Sequence, residues 1–355
     1  MKFDFRIPLI VACICGATLL AILAGRAYNA LDGPNQSLTA GVYAVISVTP
    51  GMGVYDVAGL LEDAGVVHRA RDFVFAAEFL TFDQRLQAGE YILPYGESNR
   101  ALLSRLIDAG SSSTLITIPE GCTSRQIARL LREKISMDSV AFMQAVSDTA
   151  LLGKYQISAL SLEGFLFPDS YNFYRSMNPS WVVDLMVRRF SQVFDSSLQV
   201  KLAQSEFTLV EIVTLASIIE GEMIHQSEAP LISAVYHNRL KKRMRLQADP
   251  TIQYLIPDGP RRLYSKDLSI RSPYNTYLHA GLPPGPVCNP GKLALRAALE
   301  PAPEPYLYMV STGDGSHAFN VRFNDHLRDK ARLDSLRAAL TESRKKGSDA
   351  QEMVR

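Results

Sequence analysis

The longest apolar run comes first. From Ile7 to Gly25 there are nineteen residues without a charge. As a helix rising ~1.5 Å per residue this run measures roughly 28 Å, enough to cross a bilayer core. Lys2 and Arg6 precede it and Arg26 follows it. Basic residues tend to stay cytoplasmic, so the pattern places the N-terminus inside, against some opposition from Asp4 and Arg26. A cleaved signal peptide is the competing reading. Its apolar region would be shorter, and Ala24-Gly25-Arg26 makes a poor cleavage site. Cys13 and Cys15 behave as small apolar residues within the run. No later apolar run is long enough to span, so a single-pass protein with most of its mass outside the cytoplasm is expected. Residues 27–40 are small and polar and read as a linker.

The next hundred residues carry a weak repeat with an offset of 70. Val45-Ile46-Ser47-Val48 precedes Gly51 and then Val57-Ala58-Gly59-Leu60-Leu61. Leu115-Ile116-Thr117-Ile118 precedes Gly121 and then Ile127-Ala128-Arg129-Leu130-Leu131. Each copy predicts a short β-branched strand, a turn and an amphipathic helix. Such copies resemble small strand–helix modules, the LysM-like unit that binds amino-sugar polymers among them; a generic α+β packing domain is the alternative. Gln87 to Leu93 reads as a further strand.

From Ser139 the periodicity is helical, interrupted by the aromatic stretch Leu162–Tyr171, which reads as a packed loop. Helices are expected again from about Ser180 to Met223 and from Pro230 to Arg243. Turn signals then become dense. Asp258-Gly259-Pro260 is one, and seven of the eleven residues 281–291 are Gly or Pro, as in a stiff structured loop. Tyr306–Val310 and His317–Val321 flank Gly313-Asp314-Gly315 and predict a hairpin. The fold class is α+β. The expected divisions are 1–26, a cytoplasmic stub and membrane helix; 27–40, the linker; 41–135, the two-copy module region; 136–335, the main domain; and 336–355, a charged, frayed tail.

Composition narrows the chemistry. The 37 basic and 36 acidic residues leave a net charge of +1, without the positive excess a nucleic-acid binder needs. Four cysteines in 355 residues cannot make a disulfide scaffold. Six histidines show no HExxH or paired-ligand spacing, and the single Glu222-x-x-His225 is taken as accidental. There is no G-x-S-x-G and no Gly-rich phosphate loop. Neither a metal nor a cofactor is therefore expected.

One helix stands out. Thr208-Leu209-Val210-Glu211 is a capping box, and Leu209, Ile212, Val213, Ala216 and Ile219 form an apolar stripe after it. Glu220 falls near the middle of that stripe, whereas Glu222 lies far round the helix and cannot share a substrate face with it. A carboxylate there either finds a cation, Arg239 or Arg245 being candidates, or holds its proton more tightly, which suits a general acid. Two further segments mix hydrogen-bonding groups with aromatics, as a sugar chain requires. They are Asn238 to Thr251 and Ser272 to Tyr277, each also explicable as turn-forming sequence.

At these residues the chain resembles the YceG-like family of endolytic murein transglycosylases. The matching stretches are LEGFLFPDSYNFY (162–174), LASIIEGE (215–222), NRL with MRLQADPTIQY (238–254), SPYNTYLHAGLPPGP (272–286) and HAFN (317–320). With the LysM-like region the likeness covers roughly residues 40–330. It implies a YceG-like catalytic domain, anchored in the cytoplasmic membrane through residues 7–25, that cuts nascent peptidoglycan strands internally. Peptidoglycan synthases or division and elongation proteins are the implied partners. Glu220 carries over as catalytic acid and base. Asn238, Gln247, Asp249, Thr251, Ser272, Tyr274, Asn275 and Asn320 match motif positions that would line the cleft. Lytic chemistry uses the substrate's own C6 hydroxyl as nucleophile, so one glutamate can suffice where a hydrolase uses two carboxyls. Were the enzyme a hydrolase, Asp249 would be the first candidate for the second. A non-catalytic glycan-binding scaffold would keep the module and the aromatics without needing Glu220.

Overall fold

The computed structural model describes residues 6–35, 43–49, 51–82, 89–112, 114–173, 177–257 and 259–352. It divides into two compact units. The first holds residues up to Ile116 together with 171–176, and the second holds 117–170 with 177–355.

The first unit begins with α1 (Arg6–Leu31), followed by β1 (Tyr43–Val48), α2 (Val54–Asp63), α3 (Ala70–Phe79), β2 (Gly89–Pro94) and α4 (Asn99–Ser112). Strands β1 and β2 pair antiparallel, Val45 opposite Ile92, and Val57, Leu61, Phe73 and Leu102 of the helices are fully buried in the same unit. Alternation in β1 is that of a half-buried strand: Ala44, Ile46 and Val48 face the core. Part of the strand expected over 87–93 is thus observed, with Gln87 and Ala88 outside the described residues. Helix α1 exposes Leu19, Leu20, Ile22 and Leu23. Among the described residues no single helix is long and apolar enough to cross a membrane; the side chains of 6–15, Cys13 and Cys15 included, lie outside the description.

The two repeat copies share local structure but part company in the fold. β3 (Thr114–Thr117) and α5 (Ser124–Ile135) follow the expected strand–turn–helix order. Yet β3 pairs with β4 (Ser170–Phe173), at the end of the aromatic stretch, and α5 belongs to the second unit. The boundary expected at 135 therefore falls near 117. Hydrogen bonding explains the shift, because the N-terminus of α5 is held by a side chain from the aromatic stretch: Ser124 N donates to both carboxylate oxygens of Glu163 at 3.0 and 3.2 Å.

The second unit continues with α6 (Ser139–Val146), α7 (Thr149–Lys154), α8 (Pro179–Val193), α9 (Ser196–Gln204) and α10 (Leu209–Glu222). Then come α11 (Ala229–Lys241), α12 (Asp249–Gln253), α13 (Lys292–Leu299), the hairpin β5 (Tyr308–Ser311) with β6 (His317–Asn320), and α14 (Phe323–Glu352). The hairpin is antiparallel around the predicted Gly-Asp-Gly turn. The tail expected to fray is helical to Glu352, in keeping with its many Ala, Leu, Glu, Arg and Lys residues. Helix α10 packs on α11, α12 and α13 at the centre of the unit, and every residue from Ile212 to Ile219 is buried. The single stripe read from the sequence is thus too narrow. Leu209 is only half-buried, while Leu215, Ser217 and Ile218 on other faces are fully covered.

Asn289 ties this core together. Fully buried in the Gly/Pro loop, it accepts N–H bonds from Gly164 and Leu166 at 2.9 Å on its side-chain oxygen. Its amide donates to Cys122 O at 2.9 Å and to Glu163 Oε1 at 3.0 Å. Its backbone N–H also reaches Cys122 O, and its carbonyl accepts from Gly121 N. In the loop of 281–291, expected to be stiff and structured, Val287 to Gly291 are buried. Gly221 has a packing role. A Cβ there would lie 2.6 Å from Cβ of Pro250, so the bare glycine lets α12 pack directly against the end of α10.

Two stability measurements test this packing. Gly221→Ala should gain about 1 kcal/mol of helix propensity. The collision with a proline ring held in α12 should outweigh it, giving net destabilisation of roughly 1–3 kcal/mol in denaturant unfolding. Asn289→Asp keeps the acceptor for Gly164 and Leu166 but sets a second carboxyl against Glu163. It should be destabilised at pH 8 and recover on acidification toward pH 5, as the facing pair takes up a proton.

Candidate active site

Glu220 sits in the last turn of α10, half-buried. The helix that presents it is held at its start by the expected capping box. Thr208 N donates to Glu211 Oε2 at 2.8 Å, and Glu211 N donates to Thr208 Oγ1 at 3.3 Å. Its end is fixed against the Gly/Pro loop, where Val287 N donates to Ser217 Oγ at 3.0 Å and Cys288 Sγ to Ser217 O at 3.2 Å. Cys122 and Cys288 are both free thiols.

The Glu220 carboxylate accepts one hydrogen bond, from Gly291 N at 3.0 Å. Gly291 is the N-cap residue of α13. On the other side stands Gly121, whose Cβ position is 3.6 Å from Cγ of Glu220. Burial is the main reason that Glu220 holds its proton up to about pH 7. The Gly291 N–H opposes this and the nearby negative charge of Glu120 adds to it. No cation offsets the charge among the described residues. Arg239 is spent on the carbonyls of Leu307 and Leu246, and Arg245 on that of Tyr277. Of the two alternatives for a carboxylate on an apolar helix, this one retains its proton.

The neighbours of Glu220, Gly121 and Gly221, help line a cavity of about 180 Å³, with Arg125, Gln126, Gln253 and Tyr254 also in the wall. Arg125 donates to Tyr254 O at 2.6 Å and lies over the Tyr254 ring, 5.1 Å from its centre. Tyr254 in turn meets Tyr274 with ring centres 5.1 Å apart. Amide edges, a guanidinium and aromatic faces suit a sugar ring. All these residues belong to the second unit. Sequence reasoning missed Glu120, Arg125 and Gly291 here. The single available signal was the Pro119-Glu120-Gly121 turn, read as a repeat of the first copy.

Glu222 occupies the opposite face, as the helix geometry requires. Its Oε1 accepts from Tyr236 Oη at 2.9 Å and Asp249 N at 3.3 Å. Burial, together with the charge of Asp249, pushes it up to about 7 as well. It borders a second cavity of about 360 Å³ with Arg239, Gln247, Asp249, Tyr277 and His317. Asp249 accepts from Tyr277 Oη at 2.5 Å.

The eight cleft candidates therefore separate. Gln247 and Asp249 line the second cavity, so Asp249 is not placed to serve as a second carboxylate beside Glu220. Tyr274 stands with Tyr254 at the first. The rest are committed to the fold. Asn238 donates to the carbonyls of Glu304 and Tyr306, and buried Asn275 to those of Leu268 and Ile270. Buried Thr251 bonds Ala248 O and Thr276 Oγ1. Ser272 Oγ accepts from Tyr274 N, and Asn320 donates to Asp329.

Comparison with known proteins places this geometry. An endolytic murein transglycosylase of Bacillus subtilis is 27% identical over 299 residues, covering 79% of this chain and 82% of the relative. One of Streptococcus pneumoniae is 29% identical over 324 residues, 81% of this chain and 58% of the longer relative. The crystal structure of a YceG-like protein of Listeria monocytogenes superposes with a TM-score of 0.57 at 27% identity, covering 81% of this chain and 98% of its own. The YceG-like family profile matches residues 46–332, and the chain belongs to the YceG-like family.

Proposed function

We propose that this protein is a lytic transglycosylase of peptidoglycan, with Glu220 as its acid and base. The observation that carries the reading is a half-buried carboxylic acid with no cationic partner among the described residues, whose neighbours Gly121 and Gly221 line a cavity that also holds Tyr254, Arg125 and the amides of Gln126 and Gln253. The names of its relatives supply the substrate, murein glycan, and the mode, endolytic cleavage.

In this reading Glu220 protonates the oxygen joining MurNAc C1 to GlcNAc O4, and that C–O bond breaks. The C6 hydroxyl of the same MurNAc closes on C1. Its proton passes to the Glu220 carboxylate, which restores the acid. The product ends are 1,6-anhydro-MurNAc and a free GlcNAc 4-hydroxyl, and no water is consumed. A carboxyl that holds its proton to about pH 7 can both give and take it near neutrality.

The exposed leucines and isoleucine of α1 support an anchor over residues 7–25, which would set the catalytic unit outside the cytoplasmic membrane, in the periplasm of a two-membrane cell. The order β1-α2-α3-β2, closed by β1–β2 pairing, supports a LysM-like module that grips the glycan. An enzyme so placed would trim or terminate nascent strands beside the synthases that make them.

The test uses the full-length chain in detergent with un-crosslinked glycan strands, products being read by mass spectrometry. Anhydro-ended fragments are expected, with the rate falling as pH rises through about 7 because the acid form is lost. Glu220→Gln should cut the rate at least ~10²-fold without loss of folding. Binding without any cleavage would make the chain a scaffold, and water-derived reducing ends would make it a hydrolase.

A further inference from the structure

A second carboxylate meets the site from a direction the sequence did not suggest. Glu120 follows β3 in the turn Pro119-Glu120-Gly121, and the backbone is pinned on both sides of it. Ile118 N donates to Asp169 O at 2.9 Å, and Gly121 N donates to Asn289 O at 2.9 Å. The side chain is exposed to solvent but not free to wander. It occupies the space over Gly291, where a Cβ would fall inside its carboxylate group. Gly291 is the same residue whose N–H is bonded to Glu220 at 3.0 Å. One glycine thus touches both carboxylates, Glu220 at its N–H and Glu120 where a side chain would stand, and a Cβ there would displace Glu120.

We propose that Glu120 is a positioning residue for the transglycosylase reaction: seated on Gly291, its negative charge adds to the burial of Glu220 in keeping that acid loaded until the glycosidic oxygen arrives.

This inference rests on the reading of Glu220 as the catalytic acid. Its physical content is a balance of charges around one carboxyl. The Gly291 N–H favours the ionised form and Glu120 opposes it. The other ionisable groups close by are the buried thiol of Cys288 and that of Cys122; burial holds both in their neutral form. Glu163 is tied up by Ser124 and Asn289, and on α10 itself Glu222 faces Tyr236 and Asp249. Burial already outweighs the lone N–H donor at the start of α13, and the charge of Glu120 adds to it, so that proton donation to the leaving oxygen starts from a more fully loaded acid. The same repulsion then favours recovery of the proton from the C6 hydroxyl in the second half of the reaction. Glu120 need not touch the sugar to act in this way.

The experiment compares pH–rate profiles for anhydro product formation by the full-length chain in detergent: wild type, Glu120→Gln, Glu120→Asp, Gly291→Ala and Glu220→Gln. In parallel, carbon-13 NMR of glutamate-labelled protein follows the Glu220 carboxyl, assigned by its loss in Glu220→Gln. Glu120→Gln should move the alkaline limb and the Glu220 titration down together by about one pH unit. The rate at pH 8 would then fall roughly tenfold while that at pH 5.5 stays near wild type. Gly291→Ala should move them the same way by ejecting Glu120, and Glu120→Asp, which keeps the charge, should move them less. If Glu120→Gln fails to fold, the other two variants decide. A profile lowered equally at every pH, with Glu220 titrating as in wild type, overturns the inference and leaves a structural role. Full activity in Glu220→Gln would instead overturn the reading on which it rests, and the NMR titration would still report whether the two carboxyls interact.

Discussion

The site depends on one buried amide. Asn289 uses its side-chain oxygen for Gly164 and Leu166, its side-chain nitrogen for Cys122 and Glu163, and its backbone for Gly121 and Cys122. Those partners come from two segments, the turn after β3 and the aromatic stretch, which Asn289 ties to its own Gly/Pro loop far away in sequence. None of them is a helix or strand that could satisfy its own backbone, so buried N–H and C=O groups would be left unpaired without Asn289. An amide is the only side-chain group that can both accept from two N–H groups and donate to a carbonyl and a carboxyl at once. The constraint is geometric as well. Gly121 and Gly291, the two residues that frame Glu220, are respectively bonded to Asn289 and two positions from it.

The same core explains why two glutamates on one helix turn have different prospects. Both are held protonated toward neutral pH by burial. Glu222 already receives Tyr236 and the Asp249 N–H, so its oxygens are engaged inside the fold. Glu220 accepts a single N–H, and its neighbourhood opens on a cavity. A proton that must leave for a substrate oxygen is better held by the less engaged group. Burial supplies the proton affinity, and the scarcity of partners supplies the reactivity.

Much of this was legible in the sequence wherever a local rule operates. The capping box at Thr208 and Glu211, the hairpin around Gly313-Asp314-Gly315 and the opposed faces of Glu220 and Glu222 follow from short-range geometry, and the structure has each of them. Long-range pairing was not legible. The strand Leu115–Ile118 looks like a copy of Val45–Val48, but β1 finds β2 and β3 finds β4, 53 residues beyond Thr117, which no local pattern announces. The polar residues near the site misled for a related reason. Asn238, Thr251 and Asn275 have the chemistry to bind a hydroxyl, and the fold uses that chemistry on its own carbonyls. A polar side chain in a motif states only that a hydrogen bond is needed, and burial decides whether the partner is substrate or backbone.

Glycine carries the opposite kind of information. Gly121, Gly221 and Gly291 have no side-chain chemistry to offer. In the structure each stands where something else must come close: Glu220 against Gly121, Pro250 against Gly221 and Glu120 over Gly291. Gly221 lowers the intrinsic stability of α10 by about 1 kcal/mol relative to alanine. In return α12 docks directly beneath the turn that carries Glu220, which keeps the Pro250 and Tyr254 walls of the cavity in place. A single proton-bearing carboxyl can serve as the reactive group only if its surroundings are fixed to within an ångström or so, because its proton affinity depends on distances of that size. The missing side chains are therefore as much a part of the electrostatics of Glu220 as the charges are.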